Sequence, residues 1–301
     1  MALAALLLAT VPLSGQPAVA ATPATIAYAR LTQAWELVLT DGNVVKVPEA
    51  LAAAPDDAVN AGWRAPFLIS GDGRHFFYFR KSDGLFVERT PSGKERVVSR
   101  EIKAYDIGEE WPWVSYDGSF VIVGNSAPAL GAFVDLRKGT TMSDPGGRDD
   151  WSFDGFSPDG ERLLLRRVGG SRVTVFDRRL RARLRLKAKL SPDALANDHH
   201  TAVELVGTSP TLRRLRPLDL RTGRAGRTVT VRLPRGQYID DLEFDQKGRL
   251  IVRSKTKTGV AIYRVSKTTG KASLLRSLAR PDAKAWVLPG DSAYEPWTEK
   301  K

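Results

Sequence analysis

The 301-residue chain is 42% hydrophobic and 27% charged, a globular composition that excludes a disordered chain or a polytopic membrane protein and leaves enough apolar residues for a sizeable core. It has no cysteine and three histidines, which excludes disulfides, iron–sulfur and thiolate-zinc centres and thiol catalysis, and leaves little material for histidine chemistry. Lys and Arg outnumber Asp and Glu by 46 to 34, a net charge of +12 that needs a location.

Residues 1–20 carry no charge. Leu3 to Leu13 is a nearly unbroken apolar run of about 11 residues, too short for a spanning helix of roughly 20. Ala18-Val19-Ala20 follows with the small-x-small pattern that signal peptidase cleaves after. The expectation is a signal peptide over 1–20 and one domain over 21–301, exported and not an integral membrane protein. The run lacks a preceding Lys or Arg, which a start site further upstream would supply. The alternative is a buried N-terminal segment, against which stands the absence of apolar periodicity.

Strands are expected at 25–31, 35–39 and 44–47, with Asp41-Gly42 turning between the last two. From there the chain repeats. An apolar strand, a tight turn and a second apolar strand recur around Ser70-Gly71-Asp72-Gly73, Ser115-Tyr116-Asp117-Gly118, Ser157-Pro158-Asp159-Gly160 and Asp245-Gln246-Lys247-Gly248. Degenerate copies lie at 196–200, ending in His199-His200, and at 285–291, ending in Gly290-Asp291. The closing turn residues are 45, 42, 40, 48 and 43 residues apart. Their mean of about 44 is the length of a four-stranded, WD-repeat-like propeller blade. Asp-Gly suits a two-residue hairpin in which both central residues take positive φ.

Second hairpins turn at Pro91-Ser92-Gly93, Lys138-Gly139, Thr222-Gly223 and Thr269-Gly270, giving four strands per repeat. The three N-terminal strands lack an inner partner, and the strand at 286–288 lacks outer ones. Joined, they make an all-β, six-bladed β-propeller closed by N-terminal strands pairing with a C-terminal strand, which removes exposed sheet edges. An open solenoid or two separate β domains is the alternative.

Ser157-Pro158-Asp159-Gly160 with flanking aliphatics resembles the Ser-Pro-Asp-Gly repeat of the TolB-like six-bladed β-propellers, and the turns at 70–73 and 115–118 are softer copies. The resemblance covers the chain after residue 20 at the level of period and turn, and departs from the pattern at His199-His200 and Gly290-Asp291. It implies a fold and a general habit of binding, without the additional N-terminal domain of TolB or the hydrolase domain of propeller peptidases.

No nucleophile elbow, zinc-protease motif, P-loop or dinucleotide fingerprint is present. His199 and His200 are adjacent, so on a strand or turn they point apart and share a metal poorly; a degenerate turn is the simpler reading. His75 follows an Asp-Gly turn and reads as a surface residue.

Loops joining one blade to the next gather at one mouth of a propeller channel. Here they carry Asp56, Asp57 and Trp63; Asp106, Glu109, Glu110 and Trp111; Asp149, Asp150 and Trp151; and Tyr238, Asp240 and Asp241. Acid beside an aromatic suits a cationic peptide or a sugar ring, or, with carbonyl oxygens, calcium. The structural reading makes the aromatics blade packing and the acids solvated loop. Trp113 and Trp286 fall inside the repeat and read as structural.

The basic excess is local, because residues 161–235 hold 19 Lys and Arg against 6 Asp and Glu. Within that stretch Arg181, Arg183, Arg185, Lys187 and Lys189 alternate with apolar residues, a strand with one basic face. It reads as a blade's outermost strand, either a solvated edge or an attachment surface for anionic cell-wall polymer or lipid head groups.

The sequence therefore predicts a secreted, non-enzymatic propeller, extracellular or cell-wall associated, that binds a protein or cell-envelope component and not nucleic acid. No cofactor is expected, with calcium at the mouth as the variant. The alternative is a propeller-scaffold enzyme, a polysaccharide lyase or hydrolase using mouth carboxylates. A third reading is an interaction module whose mouth is plugged by its own side chains.

Overall fold

The computed structural model describes residues 24–107, 110–125, 130–143, 151–167, 172–187, 190–207 and 212–291. The expected signal peptide at 1–20 lies outside the described residues.

The strands form six sheets, each built from short runs rich in β-branched and aromatic residues. The first orders β25 (Ala285–Val287), β1 (Ile26–Leu31), β2 (Trp35–Leu39) and β3 (Val44–Val47). The second holds β4 (Phe67–Ile69), β5 (Phe76–Phe79), β6 (Leu85–Arg89) and β7 (Arg96–Lys103). The third holds β8 (Glu110–Val114), β9 (Phe120–Asn125), β10 (Leu130–Asp135) and β11 (Thr140–Ser143). The fourth holds β12 (Trp151–Phe156), β13 (Arg162–Arg167), β14 (Arg172–Asp177) and β15 (Ala182–Lys187). The fifth holds β16 (Ala194–Leu195), β17 (Thr201–Leu205), β18 (Arg214–Asp219) and β19 (Arg224–Ala225), with β20 (Val229–Thr230) also on β18. The sixth holds β21 (Asp241–Phe244), β22 (Leu250–Thr256), β23 (Gly259–Val265) and β24 (Ala272–Ala279). The chain is a six-bladed β-propeller, closed in the first blade by antiparallel pairing of Ala29, Arg30 and Leu31 with Val287, Trp286 and Ala285.

Turn chemistry accounts for the repeat. In three copies the Ser hydroxyl donates to the Asp two residues on, at 2.6 Å for Ser70–Asp72, 2.6 Å for Ser115–Asp117 and 2.5 Å for Ser157–Asp159. The same Ser oxygen accepts the N–H of His75, Phe120 or Arg162 five residues on, so one side chain spans the turn. Asp245 does the equivalent work in the sixth blade, accepting the N–H groups of Lys247 and Arg249. The two-residue hairpin expected from Asp-Gly is corrected here: only the Gly takes positive φ, +70° at Gly73 and Gly118 and +68° at Gly160, after a turn closed by the Gly N–H on the Ser carbonyl. His199 occupies that Gly position in the fifth blade with φ +63°.

These turns also seal the seams between blades. Asp72 N–H bonds the Tyr116 carbonyl, Asp159 meets both Asn197 and His199, Asn197 reaches the Gln246 carbonyl, and Gly290 N–H bonds the Ile69 carbonyl. His75 is a seam residue as well, half-buried between Glu88 (2.6 Å) and the next blade's Gly118, and not the surface residue expected. Between blades the core is apolar; Trp35 stacks on Phe67 at 4.3 Å, joining the first two sheets.

One buried cation crosses the seam between the third and fourth blades. Arg178 donates to both Asp135 oxygens (3.1 and 2.5 Å), to the Ser119 hydroxyl and carbonyl and to the Gly160 carbonyl, and its guanidinium covers the Phe120 ring at 4.8 Å. A planar fork is needed to reach all of these, which Lys does not supply. Arg178→Lys is expected to lower unfolding free energy by about 2–4 kcal/mol in urea titrations, whereas Arg96→Lys, where a half-exposed guanidinium reaches the buried Glu88, should lower it by less.

Candidate functional site

The six innermost strands run the same way, from inter-blade loops to hairpin turns. Where they converge lies a cavity of about 240 Å³. Its wall takes Trp113, Val114 and Tyr116 from the third blade, 153–156 and Pro158 from the fourth, Asp193 and Ala194 from the fifth, 241–244 from the sixth, and Gly71, Gly290 and Asp291 from the turn side. On the measure by which one water needs roughly 10–15 Å³, there is room for a side chain.

One flank is aromatic. Phe153 packs against Phe156 at 4.7 Å and against Trp113 at 5.5 Å. The lining is also acidic: Asp154, Asp193, Asp241, Glu243 and Asp291 all border the cavity. Two guanidinium groups reach these acids. Arg166 donates to Asp154 Oδ1 at 3.0 Å and to the Ser191 hydroxyl at 2.5 Å. Arg253, buried, bonds Asp291 and lies 3.4 Å from Glu243 and 3.5 Å from Asp241.

Asp154 owes its place to a β-bulge. Phe153 pairs with Leu165 and Gly155 with Leu164, so Asp154 is an extra residue in β12. Bulges of this kind re-aim a side chain, and Gly155 at φ +149° permits this one. The Asp154 side chain is 6% exposed, and its Oδ2 accepts no hydrogen bond. Burial pushes its carboxyl up to about 7; Arg166 opposes this and Asp193 adds to it. Asp193 rises to about 6, again by burial, although the Leu205 N–H bonds it at 2.6 Å. Glu243 rises to about 7 by burial against the pull of Arg253, and Asp291 shifts up for the same reasons. Tyr116, desolvated near Glu243, is pushed up to about 12.

The residues singled out from the sequence fall in several places. Of Trp63, Trp151, Tyr238, Asp240 and Asp241, only Asp241 lines the cavity. Trp63 and Tyr238 are exposed on inter-blade loops, and Asp240 pairs with Lys255 at 3.2 Å. Trp151 is a packing residue, buried edge-on against Phe176 at 5.6 Å. Asp106 ends a 3-10 turn and Glu110 and Trp111 begin β8, while Glu109, Asp149 and Asp150 lie outside the described residues. Trp113, expected to be structural, lines the cavity. Asp154, Asp193, Glu243 and Asp291 were missed. A signal existed for Asp154, since Asp-Gly inside a strand marks a bulge. His199 and His200 turn to separate carboxylates, Asp159 and Asp198. Among the described residues no group of three or more His, Asp or Glu side chains is arranged to hold a metal ion, and no helix is long and apolar enough to cross a membrane.

No protein-family profile and no curated protein matches the sequence. Solved structures do. TolB from Acinetobacter baumannii superposes with a TM-score of 0.52 at 15% identity, covering 88% of this chain and 66% of that one. The chain has the TolB-type propeller fold. It spans about two thirds of that protein's length. A protein described as TolB from Agrobacterium tumefaciens gives 0.47 at 13% identity over 86% of this chain and 91% of that one. The dihydro-heme d1 dehydrogenase NirN in complex with DHE gives 0.45 at 14% identity over 89% and 56%.

The carboxyl of Asp154 has a folded-state pKa above its ordinary 3.8, so the folded chain holds a proton that the unfolded chain releases. Its contribution to stability is fully present below about pH 4 and is lost as pH rises to about 7, then stays level. Asp154→Asn removes this loss. Thermal unfolding should show the variant gaining a few degrees over the parent at pH 8 and less at pH 4.5; an equal or negative difference at pH 8 would show that Asp154 is not desolvated.

Proposed function

We propose that the protein is an exported, non-catalytic binding propeller of the cell envelope that receives a basic segment of a protein partner in its central channel. The observation that carries this reading is the concentration of five carboxylates from four blades around one cavity, with two guanidinium groups to balance them. The uncharged apolar stretch before Ala18-Val19-Ala20 and the TolB-type fold support export and binding. A tagged mature chain should retain a partner from envelope extract, and the Asp154→Asn/Asp193→Asn pair should lose it without a lower melting temperature. Retention by both forms alike would overturn the channel as the site.

The basic edge supplies a second contact. Arg181 and Arg185 are exposed on or beside β15, the outermost strand of the fourth blade, and Arg183 pairs with Asp177 at 2.6 Å; Lys187 ends that strand, and Lys189 lies outside the described residues. Attachment to anionic cell-wall polymer or lipid head groups through this edge predicts a steep salt dependence of envelope binding. That dependence should flatten in Arg181→Glu/Arg185→Glu, and binding indifferent to both salt and charge reversal would remove the role.

A catalytic reading has one observation in its favour. A carboxyl near pH 7 in a cavity is equipped to act as a general acid. It predicts that Asp154→Asn abolishes turnover of an envelope polysaccharide while capture persists, the reverse of the binding reading.

A further inference from the structure

We infer that the channel seats a single organic cation, a primary ammonium or guanidinium on an aliphatic stem, with its head between Asp154 and Asp193 and its stem along Trp113 and Phe153. This rests on the binding reading above and names the group bound.

Three observations converge on it. The first is an unmet acceptor: Asp154 Oδ2 has no hydrogen-bond partner although its side chain is 94% buried, taken from its 6% exposure. A buried polar atom left unsatisfied costs free energy that a donor within the cavity would recover. The second is charge. Arg166 already bonds Asp154 through the other oxygen, and Arg253 is committed to Asp291, Glu243 and Asp241. Asp193 accepts the Leu205 N–H on its Oδ2 and feels Arg166 only through space. The fifth-blade Asp193 lies beside the bulge that presents Asp154; a Cβ at Gly155 would sit 3.9 Å from the Asp193 carbonyl oxygen. Uncompensated negative charge thus remains on both sides, with two acids beside Arg166 and three beside Arg253, and the unmet Asp154 oxygen distinguishes the first pair as the seat of the head group.

The third is shape. A bare divalent ion needs several oxygens converging at 2.3–2.6 Å for calcium, and among the described residues no three or more Asp, Glu or His side chains are grouped to hold one. The space of about 240 Å³ is also far larger than an ion, and part of the same lining is aromatic. Aromatic faces hold the methylene stem of a long cation and attract its charge, whereas they offer nothing to a hydrated metal.

Calorimetric titration of the folded, mature chain with n-pentylammonium chloride tests this directly. Saturable one-to-one uptake is expected, with 1-pentanol at least about tenfold weaker, and with at least about tenfold loss in Asp154→Asn. Uptake at pH 7 should also release protons, seen as a dependence on the buffer's ionisation enthalpy, a signature that a purely structural Asp154 would not give. Asp193→Asn is the second variant should Asp154→Asn fail to fold. Equal binding of alcohol and ammonium, unchanged affinity in both variants, or displacement of pentylammonium by stoichiometric calcium would overturn the inference. Titration with acetyl-Gly-Lys-Gly-amide and with cadaverine separates the sources. Tighter uptake of the peptide assigns the cation to a protein partner, and tighter uptake of cadaverine assigns it to a free diamine; either supports the ammonium site. Loss of partner capture in the double variant without pentylammonium uptake would leave the binding reading standing and overturn this one.

Discussion

Ring closure rests on a short antiparallel contact in which Ala29, Arg30 and Leu31 face Val287, Trp286 and Ala285. Everything at the centre depends on it. An innermost strand has a partner on one side only, so the acids on β12, β21 and the neighbouring turns share one space because the ring is complete. The contact is reinforced where the C-terminal strand leaves the sheet. Gly290 N–H bonds Ile69, and Asp291 meets Arg253 while its other oxygen accepts the Leu288 N–H at 2.7 Å. The closing strand thereby carries a channel acid and ties the sixth and second blades together.

The turn motif and the channel are two outcomes of the same geometry. Each Ser-x-Asp-Gly turn uses its polar side chains to satisfy its own backbone, which leaves little of that turn available to a ligand. The acids that line the cavity sit elsewhere, on the inner strands and in the irregular connections before and after them. There the backbone is satisfied by the sheet, and the carboxyls are left to the channel. Burial without full pairing explains why Asp154 and Glu243 both rise to about 7.

The fold was legible because its determinants are local. A Ser that bonds an Asp two residues away and a Gly at positive φ are specified within six residues, so the turns, the period and the closure could be read in order. Where the motif degenerates, the structure still keeps its shape: His199 takes the Gly conformation, and its ring is tied to Asp159 at 2.9 Å. The site was less legible because its determinants are not local. Asp154, Asp193, Glu243 and Asp291 are separated by 39 to 50 residues, and each alone resembles an ordinary strand or loop acid. Acid beside an aromatic in sequence pointed to the inter-blade loops. In space the aromatics come from Trp113 and Phe153 and the acids from the fourth, fifth, sixth and closing blades, with Asp154 contributed by a bulge next to Phe153.

The separation of charge constrains what can enter. The chain carries a net charge of +12 although the cavity wall is acidic, so a cation approaching from a distance meets repulsion before it meets attraction. A strongly basic protein would be slowed at low ionic strength, and salt would speed its encounter by screening the exterior. A cation carried on a neutral or acidic body avoids that barrier, because its body is attracted to the basic exterior while its tip is attracted to the channel. Electrostatic complementarity of this two-part kind selects partners through encounter rate as much as through affinity. It favours a partner whose single exposed basic group projects from an otherwise acidic surface over a generally basic one.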